Sequence, residues 1–342
     1  MGQTDSLLKR RWRVFKAHRR GYASAIILAS LFVALLPAEL ICNNRPLFVS
    51  FGGRWLFPIV HSYAETTFGG TFDTEADYLD PAVLKMIAAG DGRVVFPPVT
   101  FDYAYIDTSL SHPAPSPPDS QHLLGTDDRG RDVLARLIYG FRLSLLFGLL
   151  LALFGSAVGV LIGALQGYFG GTFDLLFQRL CEVWSSQNEL FLLIILSSIF
   201  EPSLGLIFVL LSLFGWMGLA AYVRAEFLRM RQVEYVQAAV AMGSTRLRVI
   251  TKHILPNAMM PVITFFPFRL AEGIMGLTAL DFLSLGVPAP TPSLGELLNQ
   301  GKSNLTSWWI ITSVFVVIIT LITLLNFIGE AVQKAFDPRA VG

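Results

Sequence analysis

The run LSLLFGLLLALFGSAVGVLIGAL (Leu143–Leu165) holds 23 residues without a charge. As a helix rising about 1.5 Å per residue, it reaches across the roughly 30 Å hydrocarbon core of a bilayer. A second run, WWIITSVFVVIITLITLLNFI (Trp308–Ile328), holds 21 such residues. The whole chain of 342 residues is 53% hydrophobic and 15% charged, with a mean hydropathy of +0.57. Soluble domains carry about 25% charged residues. The two runs therefore read as spans of a polytopic membrane protein and exclude a soluble multidomain chain.

Working outward from them, six spans are expected. Gly21–Leu40 is the first and is expected to be retained, since no small-x-small cleavage site precedes a soluble domain. Leu143–Leu165, Leu204–Val223 and Trp308–Ile328 are the second, fourth and sixth. The third must extend from Leu190–Phe200 back past Glu189, Glu182 and Arg179, and the fifth, Ala258–Leu280, carries Arg269 and Glu272. Charges inside a span are costly unless they face protein or water. Helical spacing places Glu182 and Glu189 on one face and Arg269 and Glu272 on another. These four are the candidate pathway residues, with a self-neutralising structural pair as the alternative for Arg269 and Glu272.

Lys and Arg set orientation. Lys9, Arg10, Arg11, Arg13, Lys16, Arg19 and Arg20 precede the first span, and 224–257 holds six basic residues against Glu226 and Glu234. Both segments, and the carboxyl terminus with them, belong on the cytoplasmic side. The chain then divides into a basic tail (1–20), a first transmembrane helix (21–40), an external insertion (41–120) and a core (121–342) with a cytoplasmic loop at 224–257. Residues 41–128 contain eleven acidic and four basic residues and read as a small, mostly irregular domain. Phe51–Pro58 and Val94–Tyr105 are its expected strands, and Pro113–Pro118 is a stiff connector. Apolar residues at helical spacing in Asp127–Arg142 predict an amphipathic interfacial helix, capped by Thr126 or Asp127. Prolines within Gly286–Ser293 forbid a continuing helix in the second external loop, Asp281–Ser307.

The segment EYVQAAVAMGSTRLRVITKHILPN (Glu234–Asn257) reads as a short helix, a break at Gly243, and a second helix ended by Pro256. It resembles the coupling loop of ABC importer permeases, whose pattern is Glu-Ala-Ala, three residues, Gly, nine residues, then Ile-x-Leu-Pro. Ala238, Ala239, Gly243, Leu255 and Pro256 stand at the matching places, while Gln237 replaces the Glu and His253 the first Ile. Leu124-Gly125-Thr126-Asp127, Gly130-Arg131-Asp132, Arg136, Tyr139-Gly140, Arg142 and Ser144-Leu145, together with Asp281–Pro288 and Pro292–Gly295, resemble dipeptide and oligopeptide permeases. Trp55–Pro58, Phe68-Gly69-Gly70, Ala76-Asp77-Tyr78 and Asp80-Pro81 resemble the insertion of the Yej-type importer, which also admits the peptide–nucleotide antibiotic microcin C.

The resemblance implies an all-α fold of six transmembrane helices with a large external loop domain between helices 1 and 2, in a bacterial inner membrane. It implies a second permease, a cytoplasmic ATPase carrying ATP–Mg, a periplasmic binding protein and a peptide substrate as partners. Glu234, Gln237, Ala238, Ala239, Gly243, Leu255 and Pro256 would contact the ATPase. No cofactor or catalytic residue is expected on this chain. A proton-driven carrier using Glu182, Glu189 or Glu272 is the reading from another class, and a membrane-anchored assembly protein a third.

Other features carry less. Gly295-x5-Gly301-Lys302-Ser303 has one residue too many for a P-loop. Asp127, Asp128 and Asp132 lack the alternation of a calcium loop. His18, His61, His112, His122 and His253 form no i, i+4 pair and indicate no metal. Lys9–Arg20 reads as an orientation signal rather than a nucleic-acid site. Cys42 and Cys181 read as packing residues, and Asn304-Leu305-Thr306 fits a glycosylation sequon.

Overall fold

In the computed structural model the described residues are 7–337; the outermost parts of the tail and of the carboxyl-terminal segment lie outside them. The elements in order are α1 (Leu7–Ala17), α2 (Arg19–Leu35), α3 (Ala38–Ile41), β1 (Phe48–Phe51), β2 (Arg54–Leu56), α4 (Pro81–Ala89), β3 (Arg93–Val95), α5 (Val133–Phe169), α6 (Gly171–Ser185), α7 (Glu189–Ile199), α8 (Leu204–Gly215) and α9 (Met217–Met230). There follow α10 (Glu234–Ala241), α11 (Arg246–Arg248), α12 (Leu255–Ala258), α13 (Met260–Phe282), α14 (Leu294–Ser303) and α15 (Trp308–Phe336).

Among the described residues, four stretches are long and apolar enough to cross a membrane: α5, α8 with α9, α13 and α15. The first expected span is shorter than its hydropathy indicated, because α2 stops at Leu35 ahead of Pro37, which lacks an amide donor and disfavours helix before it. The third is not continuous. Asn188 accepts a hydrogen bond from Leu190 N at 3.0 Å and caps α7, so α6 and α7 are separate helices and Glu182 and Glu189 do not share a face.

The chain folds as two compact units. One comprises the residues up to Leu28, Leu145–Val287 and those from Ile319 onward. Its helices approach closely through glycines. Gly155, Gly159, Gly163 and Gly167 recur every fourth residue along α5 and face α8 and α9. A Cβ would stand 2.5 Å from the Ala220 carbonyl at Gly163 and 2.5 Å from Phe227 Cβ at Gly167. In lipid, where apolar burial drives little association, such small residues permit the backbone proximity that holds helices together.

The other unit comprises Ala29–Ser144 and Pro288–Ile318. It contains an antiparallel sheet in the order β2-β1-β3, with Val49 opposite both Leu56 and Val94. The expected strand Phe51–Pro58 is instead a hairpin: Gly52 and Gly53 both take positive φ (55° and 73°), as a two-residue turn of the tightest kind demands. Val94–Tyr105 contributes only β3; the rest is irregular. Asp80 accepts from Ala82 N at 2.8 Å and Pro81 opens α4. Val49, Phe68, Tyr78, Val83 and Ile87 form the small core.

Two expectations for Asp127–Arg142, its interfacial helix and its cap, are corrected in this unit. Asp127–Arg142 is not an interfacial amphipathic helix: residues 127–132 form a turn closed by a Thr126–Asp132 bridge, and α5 starts at Val133. Asp132, rather than Thr126 or Asp127, caps it by accepting from Ala135 N at 2.7 Å. The proline-rich stretch 286–293 carries no helix, as expected, and α14 follows it, capped by Ser293, whose hydroxyl accepts from Gly295 N and Glu296 N. Gly301, Lys302 and Ser303 are its last turn, where Gly301 packs on Ile311.

Candidate functional site

The residues 234–258 fold as the spacing predicts up to Gly243. That residue adopts φ 79°, its N–H reaches Val240 O at 2.9 Å, and Ser244 N reaches Ala239 O at 3.1 Å. These are the paired bonds of a Schellman C-cap, which favours glycine at the left-handed position. Pro256 does not end the following helix. A π turn (Val249–Ile254) precedes it, and Leu255 N bonds Ile250 O five residues back. The widened turn accommodates a ring that would otherwise strike the carbonyl four residues earlier, and the chain continues through α12 to α13.

The base of this segment is fixed. Val236, Val249, Ile254 and Ala258 are buried with Ala164, Val223 and Phe227. The Tyr235 hydroxyl donates to His253 O at 3.1 Å and accepts from the Asn257 amide at 3.0 Å, stapling α10 to the π turn. Its tip is open. Val240, Met242 and Leu247 are 53%, 81% and 71% exposed, beside a groove of about 540 Å³ lined by Tyr168, Arg231, Gln237 and Arg246. Of the expected contact residues, Glu234, Gln237, Ala238, Gly243 and Pro256 are exposed, Leu255 is half-buried, and Ala239 is buried in the packing.

The four candidate pathway residues separate. Glu189, Arg269 and Glu272 line one cavity of about 260 Å³ with Leu211, Phe214 and Gly273. Arg269 Nη2 donates to Gly215 O at 2.8 Å, at the join of α8 and α9. Gly155 leaves room for that guanidinium, because a Cβ there would lie 2.5 Å from Nη2. Glu182 lies apart, paired with Arg179 at 2.6 Å. Sequence reasoning missed Asp174, whose carboxylate takes Arg224 Nε and Nη2 at 2.5 and 2.6 Å and joins α6 to α9. A lone Asp and Arg fifty residues apart leave no local signal.

Two polar clusters in the other unit were also missed. Arg131 and Arg136 are buried, not snorkelling; they share Asp127 and Glu296, with Arg131 Nη2 2.7 Å from Asp127 and Arg136 Nη2 2.5 Å from Glu296. His122, also buried, stands between two carboxylates, Nδ1 2.8 Å from Asp132 and Nε2 3.2 Å from Asp107, with Phe101 stacked on the ring at 4.4 Å. A neutral imidazole has one N–H, so this geometry calls for the imidazolium. Burial pulls the His122 pKa down, yet the bonds to Asp132 and Asp107 outweigh it and hold the pKa above the ordinary value. Among the described residues, no three His, Cys, Asp or Glu side chains converge as a metal site. Burial pushes the Cys42 thiol up to about 12, which makes it a packing group.

A raised histidine pKa stabilises the fold fully below the unfolded value near 6.5, and that stabilisation is lost as pH rises through the folded value. The unit that holds His122 is therefore expected to resist limited proteolysis below about pH 6.5 and to loosen as pH rises through the raised value. His122→Asn should flatten that alkaline loss; an identical pH profile in the variant would refute the assignment.

Comparison with known proteins agrees with this architecture. Residues 159–342 match the family described as "Binding-protein-dependent transport system inner membrane component". The chain is 48% identical to the inner membrane ABC transporter permease protein YejE of Escherichia coli K12, covering 99% of each. It is 42% identical to the peptidoglycan transport system permease protein YejE of Agrobacterium fabrum, covering 97% of this chain and 93% of that one. It is 34% identical to the oligopeptide transport system permease protein OppC of Haemophilus influenzae, over 71% and 78%. A chain of the inward-facing MetNI methionine ABC transporter shares its fold, with a TM-score of 0.50 over 59% of this chain and 97% of that one at 19% identity. An uncharged 23-residue run, a glycine-capped helix pair on a fixed base and kinship over the full length converge on one assignment: the chain belongs to the inner membrane components of binding-protein-dependent transport systems, as an ABC transporter permease.

Proposed function

We propose that this permease forms the pathway of an ATP-driven peptide importer together with a second, homologous permease. Its substrates are oligopeptides, peptide-bearing cell-wall fragments and peptide antibiotics of the microcin C type. A periplasmic binding protein delivers them, and cytoplasmic ATPase subunits bind and hydrolyse ATP–Mg. Both termini and the loop 224–257 lie in the cytoplasm, and the insertion 41–120 lies in the periplasm. One observation carries the coupling role: an apolar tip (Val240, Met242, Leu247) projects from a base held by buried packing and the Tyr235–His253–Asn257 bonds. Such a tip docks in a cleft, and a fixed base passes the cleft's motion to α9 and α13 without dissipating it. Glu189, Arg269 and Glu272 line the pathway. The separation of Glu182 from Glu189 weakens the case for a proton relay between them.

The test is uptake of a labelled oligopeptide into proteoliposomes holding this chain, the sister permease and the ATPase, with binding protein outside. Uptake is expected to need ATP and to vanish without this chain. Uptake driven by a proton gradient with ATP absent would overturn the reading in favour of a secondary carrier.

A further inference from the structure

The helix α1, LLKRRWRVFKA, has five basic residues and no acidic one. At 100° per residue, Leu8, Trp12 and Phe15 fall on one face and Lys9, Arg10, Arg13 and Lys16 around the other, the amphipathic division of an in-plane membrane helix. Leu8 and Trp12 are 74% and 54% exposed, and so are not absorbed by the chain's own packing.

Two observations fix where this helix sits. The chain bends at His18 and enters α2 one residue later, with the His18 ring accepting from Gly21 N at 3.2 Å. The Trp12 and Phe15 rings both reach Tyr22 in the first turn of α2, with centroids 6.4 and 6.3 Å away, so the aromatic face of α1 is continuous with the start of α2. Independently, the Arg11 guanidinium lies 4.5 Å over the ring of Phe336, at the last residue of α15, and Gly21 packs against Ala331. The helix is thus anchored at the ends of two hydrophobic helices, one starting and one finishing, which is the level of the lipid headgroups. Lys16 lies 5.3 Å over the Trp12 ring, placing a cation beside the aromatic side chain that is best suited to that interface.

From this we infer that α1 is a binding site for acidic phospholipid: Leu8 and Trp12 enter the headgroup–acyl boundary while Arg10, Arg13 and Lys16 bind the phosphates of anionic headgroups. Lipid fits better than nucleic acid, because the basic face comes with an exposed apolar one and is held where two hydrophobic helices end. The site is separate from the coupling tip and from the cavity of Arg269, and it does not depend on what the permease transports.

The test uses the full chain in nanodiscs of phosphatidylcholine containing 20% of either brominated phosphatidylglycerol or brominated phosphatidylcholine. Quenching of Trp12, read as the difference between wild type and Trp12→Phe, is expected to be several-fold stronger with the brominated phosphatidylglycerol. In Arg10→Gln/Arg13→Gln/Lys16→Gln that preference should disappear, the two lipids quenching alike, since each basic residue near an anionic surface contributes measurably to binding. Equal quenching by both lipids would overturn the headgroup selectivity. Absence of quenching by either would overturn membrane insertion of Trp12 and leave the face to a protein or nucleic-acid partner. The wild-type comparison needs no variant at the basic positions, so misfolding of the triple variant cannot rescue or sink the inference.

Discussion

Arg136→Met is expected to destabilise the protein by about 3–5 kcal/mol, the range for removing one member of a buried ion pair. Arg136 is fully buried, its Nη2 lies 2.5 Å from Glu296, and its Nη1 donates to Tyr103 O at 3.0 Å. Its Nε stands 3.5 Å from Asp127, an ion pair without a hydrogen bond. Two guanidiniums here balance two carboxylates, because Arg131 contacts the same pair. Removing one guanidinium leaves the buried Asp127 and the half-buried Glu296 to share Arg131 alone, and that penalty exceeds any gain from a well-packed methionine. The double variant Arg136→Met/Glu296→Gln restores the balance and should recover at least half of the loss. Thermal unfolding in detergent across the four proteins gives the coupling energy directly. A single-variant loss below 1 kcal/mol, or no recovery in the double variant, would show that the cluster does not hold α14 to the start of α5.

That cluster also shows why part of the molecule was not legible in its sequence. Periodicity correctly put Arg131, Arg136 and Arg142 between apolar positions, but it does not distinguish a face turned to headgroups from one turned to protein. The deciding partner, Glu296, is 160 residues from Arg136. The same holds for Arg269, whose carbonyl partner on Gly215 is a backbone atom without a sequence signature. What was legible rests on local physics. An uncharged run of 23 residues has few alternatives to a span, and Gly243 marks a turn because its position needs positive φ. Hydropathy overextended the first span because it ignores Pro37, and it ran through Asn188 because an amide inside an apolar window scarcely lowers the average. The glycines at 155, 159, 163 and 167 were a readable signal that went unused.

Gly243 carries the prediction that reaches function. Gly243→Val is expected to abolish ATP-driven uptake, and Gly243→Asn to keep it within about threefold. At φ 79° a β-branched side chain is a genuine outlier, with a cost on the order of 1–3 kcal/mol, whereas Asn visits this conformation with little penalty. Within the chain nothing lies within 4 Å of a Cβ built on Gly243, so the difference between the variants comes from the backbone and not from a clash. Relieving the valine strain means giving up the paired bonds from Gly243 and Ser244 to Val240 and Ala239, which changes the course of the chain between Met242 and Leu247. The buried base, built from Val236, Val249, Ile254 and Ala258, keeps its packing. On the coupling role proposed above, Gly243→Val should therefore insert and co-purify with the sister permease normally while losing the ATPase. Retention of the ATPase together with full uptake would separate the tip from coupling. Loss of both permeases from the membrane would mean that the glycine serves the fold first.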